Sequence, residues 1–226
     1  MVTHANLHHA LITGIIHKGY APSIDALATT LSATKAQIIE GLYALQEYHG
    51  VVLHPNTPKI WVVHPFSLAP TNFYVESNSG EWWGNCAWCS LGIAAILKED
   101  VTITSTIGAE REHVILRIKN GRLECTDFVI HFSVSMKKAW DNVIYTCSNM
   151  LLFKNHQQVD DWCRRHNMPV GDIQPVENIW QFAQKWYGSH ASKDWKKWTI
   201  GEAKQMFSDF GLHHAIWDLE DTSDRF

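Results

Sequence analysis

Apolar positions repeat at helical spacing through the first fifty residues. Leu7, Leu11 and Ile15 share one stripe, and Gly19 ends the run. Pro22-Ser23 opens a short helix over 24–31, with Ser23 as its N-cap. A third helix follows Thr34. Thr34 and Gln37 have capping-box spacing, Ile38, Leu42 and Leu45 form the buried stripe, and Gly50 is the stop. Residues 51–54 and 59–63 read as strands around a Pro-Asn-Thr-Pro type of turn. Three helices and a hairpin predict a winged-helix-like module over 1–65.

The pattern then changes period. Residues 64–70 form an extended, proline-punctuated connection. Strands are expected at 72–76, 101–107, 113–119, 122–133 and 142–147, with Asn120-Gly121 as a hairpin signal. Helices are expected at 88–98, from 159 to 166, at 176–187 and at 200–210, and the acidic end over 218–226 reads as frayed. Strands clustered between helical ends predict an α+β fold, with an antiparallel-sheet domain and flanking helices over 66–190 and a helical extension over 191–226.

Composition narrows the function. The chain has 226 residues, 46% of them apolar, enough for a sizeable core. A net charge of −4 gives no general attraction to nucleic acid or anionic membrane. The expected recognition helix, over 35–48, carries Lys35 but also Glu40 and Glu47, which argues against a DNA reader. No apolar run reaches membrane-spanning length and no signal peptide is recognisable, so a cytoplasmic protein with reduced thiols and a small-molecule substrate is expected.

The candidate chemistry lies in Cys86-Ala-Trp-Cys89, where a Gly-Asn turn enters an apolar helix. A thiol in a first helical turn sits in the field of unsatisfied N–H groups, which favours thiolate. The spacing suits half a zinc site or a redox pair, but no second ligand pair and no clear preceding buried strand support either. Cys125, in an alternating segment, reads as a small core residue, and Cys163 as structural or surface. Cys89 and Cys147 both have polar turn neighbours, and on composition alone are evenly balanced between core and site. His64 and His113 could approach a site, though the fourteen histidines are spread as solvated or core groups would be. Trp82, Trp83 and Trp88 flank the thiols as core or as a pocket wall.

The segment 86–93, Cys-Ala-Trp-Cys-Ser-Leu-Gly-Ile, resembles the first active-site cysteine segment of the alkylmercury (organomercurial) lyase family, Ala-Trp-Cys-Ala-Leu-Asp. Leu152-Phe153 and Asp161-Trp162 follow Cys147 at the distances where that family carries Phe-Phe and Asp-Trp after its second cysteine. The resemblance covers roughly residues 5–190. It implies that Cys89 and Cys147 are the catalytic, mercury-ligating thiols and that no cofactor is required, with mercury(II) as the bound product. The candidate pocket residues rest on position instead: Trp83 and Trp88 flank the thiols, and Gly92 leaves space one turn after Cys89. The resemblance also exposes a departure. The family's proton-shuttling Asp, three residues after the first cysteine, is Gly92 here. Cys86 or water is the expected substitute proton source, ahead of Glu81, Glu99 and Asp100, and a glycine should widen the space over Cys89. The expected function is cysteine-dependent protonolysis of a carbon–mercury bond. The alternatives are a thiol-dependent lyase or hydrolase acting on a non-mercurial organic substrate and a metal-sensing DNA regulator.

Overall fold

The computed structural model describes residues 2–220 and 226. Helices α1 (His4–Lys18), α2 (Ile24–Thr30) and α3 (Lys35–Glu47) open the chain. Thr3, Ser23 and Thr34 cap them, and the Thr34–Gln37 capping box forms as the spacing predicts. Strands β1 (Val52–Leu53), β2 (Ile60–Val63), β3 (Phe66–Ser67), β4 (Phe73–Ser77) and β5 (Gly80–Gly84) follow, then the buried helix α4 (Ala87–Leu97). After it come β6 (Val101–Thr106), β7 (His113–Lys119), β8 (Arg122–Leu123), β9 (Val129–Phe132), α5 (Val143–Ser148), β10 (Leu151–Phe153), α6 (His156–His166), β11 (Asp172–Pro175), α7 (Val176–Tyr187) and α8 (Ile200–Asp209).

The fold is α+β. An eight-stranded sheet runs β1-β2-β3-β5-β4-β6-β7-β8, every pair antiparallel, and a smaller sheet runs β10-β9-β11. The N-terminal hairpin is therefore continuous with the main sheet through β3. Helix α4 has no charged residue, and Ala87 to Ala95 are all buried. It packs on β3, β4 and β5 and along α7. Helix α7 presents Ile179, Trp180, Phe182, Ala183, Trp186 and Tyr187 inward, the 3.6-residue stripe that its sequence encodes. One core runs from Leu7 in α1 to Phe226.

Several expectations are corrected. Residues 142–147 are not a strand: Asn142 accepts from the Tyr145 amide and starts α5, a local cap that outweighs the β-branched run behind it. The segment 122–133 is two strands in two sheets, because the chain leaves the β7–β8 hairpin before pairing again in β9. Cys125 lies in that break and is exposed, not core. Cys163 is buried, against the His131 ring and the Pro169 carbonyl. Strands β3 and β10, of two and three residues, are too short for a period-2 signal, and β5 and β11 are also unpredicted. Of the expected frayed end, 221–225 lies outside the described residues, while Phe226 is buried and its amide donates to the Trp198 carbonyl.

Candidate active site at the start of helix α4

Three chain segments meet at the α4 N-terminus, and backbone hydrogen bonds fix two of them there. The Asn85 amide donates to the Pro65 carbonyl (3.1 Å), which holds the β2–β3 turn with His64 beside the helix start. The Ala87 amide donates to the Met150 carbonyl (3.1 Å), which holds the end of α5 with Cys147 there too. These donors flank Cys86, the N-cap residue, whose sulfur accepts from the Cys89 amide at 3.2 Å. Behind the thiols, Gly84 lets β5 approach α4: a Cβ there would lie 2.8 Å from the Ser90 Cα.

Cys86, Cys89 and Cys147 are all buried. The His64 Nδ1 lies 3.6 Å from the Cys89 sulfur, and the ligand atoms of His64, Cys89 and Cys147 all fall within 4.8 Å of one another. The Tyr187 hydroxyl also lies 3.6 Å from the Cys89 sulfur. The environments of the thiols differ. Burial works against the Cys89 thiolate, but hydrogen bonds from Cys147, Cys86 and His64 and the His64 charge outweigh it and hold Cys89 well below the usual thiol range. Burial and the neighbouring sulfurs push Cys86 well above that range. The Cys86 contact favours ionisation of Cys147, yet the hydrogen bond and charge of Cys89 together with burial keep Cys147 a thiol. Of the three thiols, Cys89 is the one whose surroundings favour the thiolate.

The structure brings Cys86, Cys89, Cys147 and Trp88 to one cavity, and it adds His64 and Tyr187. Trp83 does not join them: it stands in β5 against Tyr74 and is absent from the cavity wall. Gly92 does not widen the space over Cys89. The Tyr187 ring fills it, and a Cβ on Gly92 would lie 2.4 Å from the ring's Cδ2. His113 is exposed on β7. Glu81 and Glu99 are occupied elsewhere, with Tyr74 and with Ser77 and Ser79, and Asp100 accepts from the Asn120 amide.

The cavity wall is aromatic, with Trp88 from α4 and Trp140, Trp186, Trp195 and Phe226 from the chain that follows the central sheet. Beside it lie His8, His190 and Lys197. Desolvation pushes His190 down to about 3 and Lys197 down to about 7, and holds His8 well below the ordinary imidazole value. His8 stacks on Trp195, ring centroids 3.5 Å apart, and the Lys197 ammonium stands 4.3 Å from the Trp140 ring centre.

Sequence reasoning singled out the thiols and Trp88. It named His64 only as one of two histidines that could approach a site and did not name Tyr187; they sit 25 and 98 positions from Cys89 along the chain. The one signal for Tyr187 was Gly92 itself, because a glycine inside an apolar helix implies a large neighbour against it.

The alkylmercury lyase family model matches residues 66–188, from β3 past the end of α7. A crystal structure of the mercury-bound form of MerB2 superposes with a TM-score of 0.68 at 19% identity, over 83% of this chain and 92% of that one. No curated protein matches the chain significantly. The family match takes in the α4 start, Cys147 and Tyr187, and covers more than half of the sequence: the chain belongs to the alkylmercury lyase family.

Proposed function

We propose that the protein cleaves carbon–mercury bonds by protonolysis, with Cys89 and Cys147 taking the metal. The observation that supports this most is the buried pair Cys89 and Cys147, whose sulfurs lie within 4.8 Å of each other; the surroundings of Cys89 favour its thiolate, while those of Cys147 oppose ionisation. Soft sulfur donors favour soft mercury, and a water-poor site strengthens the bonds they form.

The steps balance without an added cofactor. The Cys89 thiolate displaces the leaving ligand X from R–Hg–X, giving Cys89–S–Hg–R and X⁻. Cys147 then bonds to mercury as its proton moves to carbon, the Hg–C bond breaks, and R–H departs. Mercury(II) stays between two sulfurs as the bound product. Cys86 is the group placed to pass that proton: it remains a thiol and hydrogen-bonds both Cys147 and Cys89. Tyr187 donates to the Cys89 sulfur and so steadies the thiolate.

The absence of a carboxylate at position 92 favours a second reading, in which Cys89 is the nucleophile toward a non-mercurial organic electrophile on the same scaffold. Incubation with an arylmercury salt and excess small thiol separates the two. Catalytic release of the arene supports protonolysis. Stoichiometric mercury capture with no arene rejects it and leaves the second reading.

A further inference from the structure

The proposed reaction uses two cysteines and an organic mercury compound. The cluster holds a third donor. His64 reaches it from the β2–β3 turn, an element distinct from those carrying the thiols, and the Asn85–Pro65 backbone bond pins that turn. Among the described residues, His64, Cys89 and Cys147 form the one group of three metal-ligating side chains with converging donor atoms.

We infer that His64, Cys89 and Cys147 form a three-donor site for a bare borderline divalent ion of the zinc class, taken up with no organic group attached. The spacing carries the inference. Zinc–sulfur and zinc–nitrogen bonds of about 2.3 and 2.0–2.1 Å, set at a tetrahedral angle, put the two donors roughly 3.5 Å apart. The Cys89 sulfur and His64 Nδ1 are 3.6 Å apart. A hydrogen-bonded thiol–imidazole pair has a similar separation, but such a pair does not require a second sulfur converging on the same two atoms. Two sulfurs and one imidazole nitrogen are also a donor set that three-ligand zinc sites use, with the fourth corner left for water or an exogenous ligand. Imidazole suits zinc and copper better than it suits mercury alone, so His64 broadens the range of ions beyond what two thiols select. Cys86 stays outside the donor set because its sulfur is engaged as the N-cap acceptor of the Cys89 amide.

Binding expels the Cys147 proton, since a thiol ligates as thiolate. The site stands whether or not the protein cleaves carbon–mercury bonds, and its test reads metal rather than product.

The test uses the full-length reduced protein titrated with cobalt(II), then with zinc(II) as competitor. The expected result is one cobalt per chain, with sulfur-to-cobalt charge-transfer absorption and tetrahedral ligand-field bands that zinc abolishes. His64→Ala and His64→Gln each weaken cobalt binding at least about tenfold, while Cys147→Ser removes the two-sulfur spectrum. The Gln variant keeps the turn filled, so it decides the matter if the Ala variant does not fold. Absent charge-transfer bands in the wild-type protein, or cobalt affinity unchanged in His64→Gln, would overturn the site.

Discussion

The Tyr187 ring occupies the place that a side chain at Gly92 would take. A Cβ added to Gly92 would come within 2.4–2.8 Å of three ring atoms, so the glycine and the tyrosine can be read only as a pair. A carboxylate cannot be restored at that position while the ring remains.

Gly92→Asp alone therefore overpacks a buried helix interface and places a carboxylate there without a partner. The expected cost is about 1–3 kcal/mol from overpacking, with a further desolvation cost for the charge. Combining it with Tyr187→Ala vacates the space, and the two changes should couple favourably by roughly 0.5–3 kcal/mol. Denaturant midpoints of the two single variants and the double variant measure this. Additive costs would show that the ring and position 92 do not share the space.

Tyr187→Phe separates the ring from its hydroxyl. The packing on Gly92 is kept, and only the donor to the Cys89 sulfur is lost. A hydrogen bond to a charged acceptor contributes about 1.5–3 kcal/mol, so cysteine-dependent activity should fall roughly ten- to hundredfold with little loss of stability. Unchanged turnover would remove the hydroxyl from the account.

The thiols should ionise unequally. Thiolate absorbance followed against pH should show one sulfur ionising well below the usual thiol range, with Cys86 and Cys147 ionising well above it. Cys89→Ser abolishes the early step, and His64→Ala moves it upward. Because the folded state lowers the Cys89 value, that group stabilises the fold above its unfolded pKa, and the contribution is lost as pH falls through the folded value. An early step that survives Cys89→Ser would reassign the thiolate.

These comparisons show what could be read from residues alone. Helix α7 was predicted at its observed bounds because its apolar stripe is complete, and the Thr34 capping box formed because capping is local. The thiols at the α4 start were visible for the same reason. Helix α5 was missed because Val143, Ile144 and Thr146 favour strands, while the deciding cap is a single Asn142 oxygen. His64 and Tyr187 reach the sulfurs only through tertiary contacts: one backbone bond from Asn85 to Pro65, and the packing of α7 along α4. Periodicity carries no trace of either.

Acid should destabilise the protein before its carboxylates titrate. Desolvation, then Lys197 and His64, push His190 down to about 3, and burial and Lys197 push His49 down to about 4. Both folded values lie below the unfolded value near 6.5, so their stabilisation is fully present above about 6.5 and is lost as pH falls toward the folded values. His190 alone should cost roughly 1.5 kcal/mol between pH 6.5 and 5. His49 adds less, being half exposed. Urea midpoints at the two pH values measure the loss, and His190→Gln should shrink it. Equal midpoints would mean that His190 is not buried as described.

The central claim is that Cys89 and Cys147 close on one mercury as carbon leaves. The most direct test is a single-turnover reaction with equimolar phenylmercury, following benzene release alongside mercury-edge X-ray absorption of the product. The account predicts stoichiometric benzene and a mercury bound by two sulfurs, with both results lost in Cys89→Ser and in Cys147→Ser. Mercury bound through a single sulfur with phenyl still attached in the wild-type protein would contradict it.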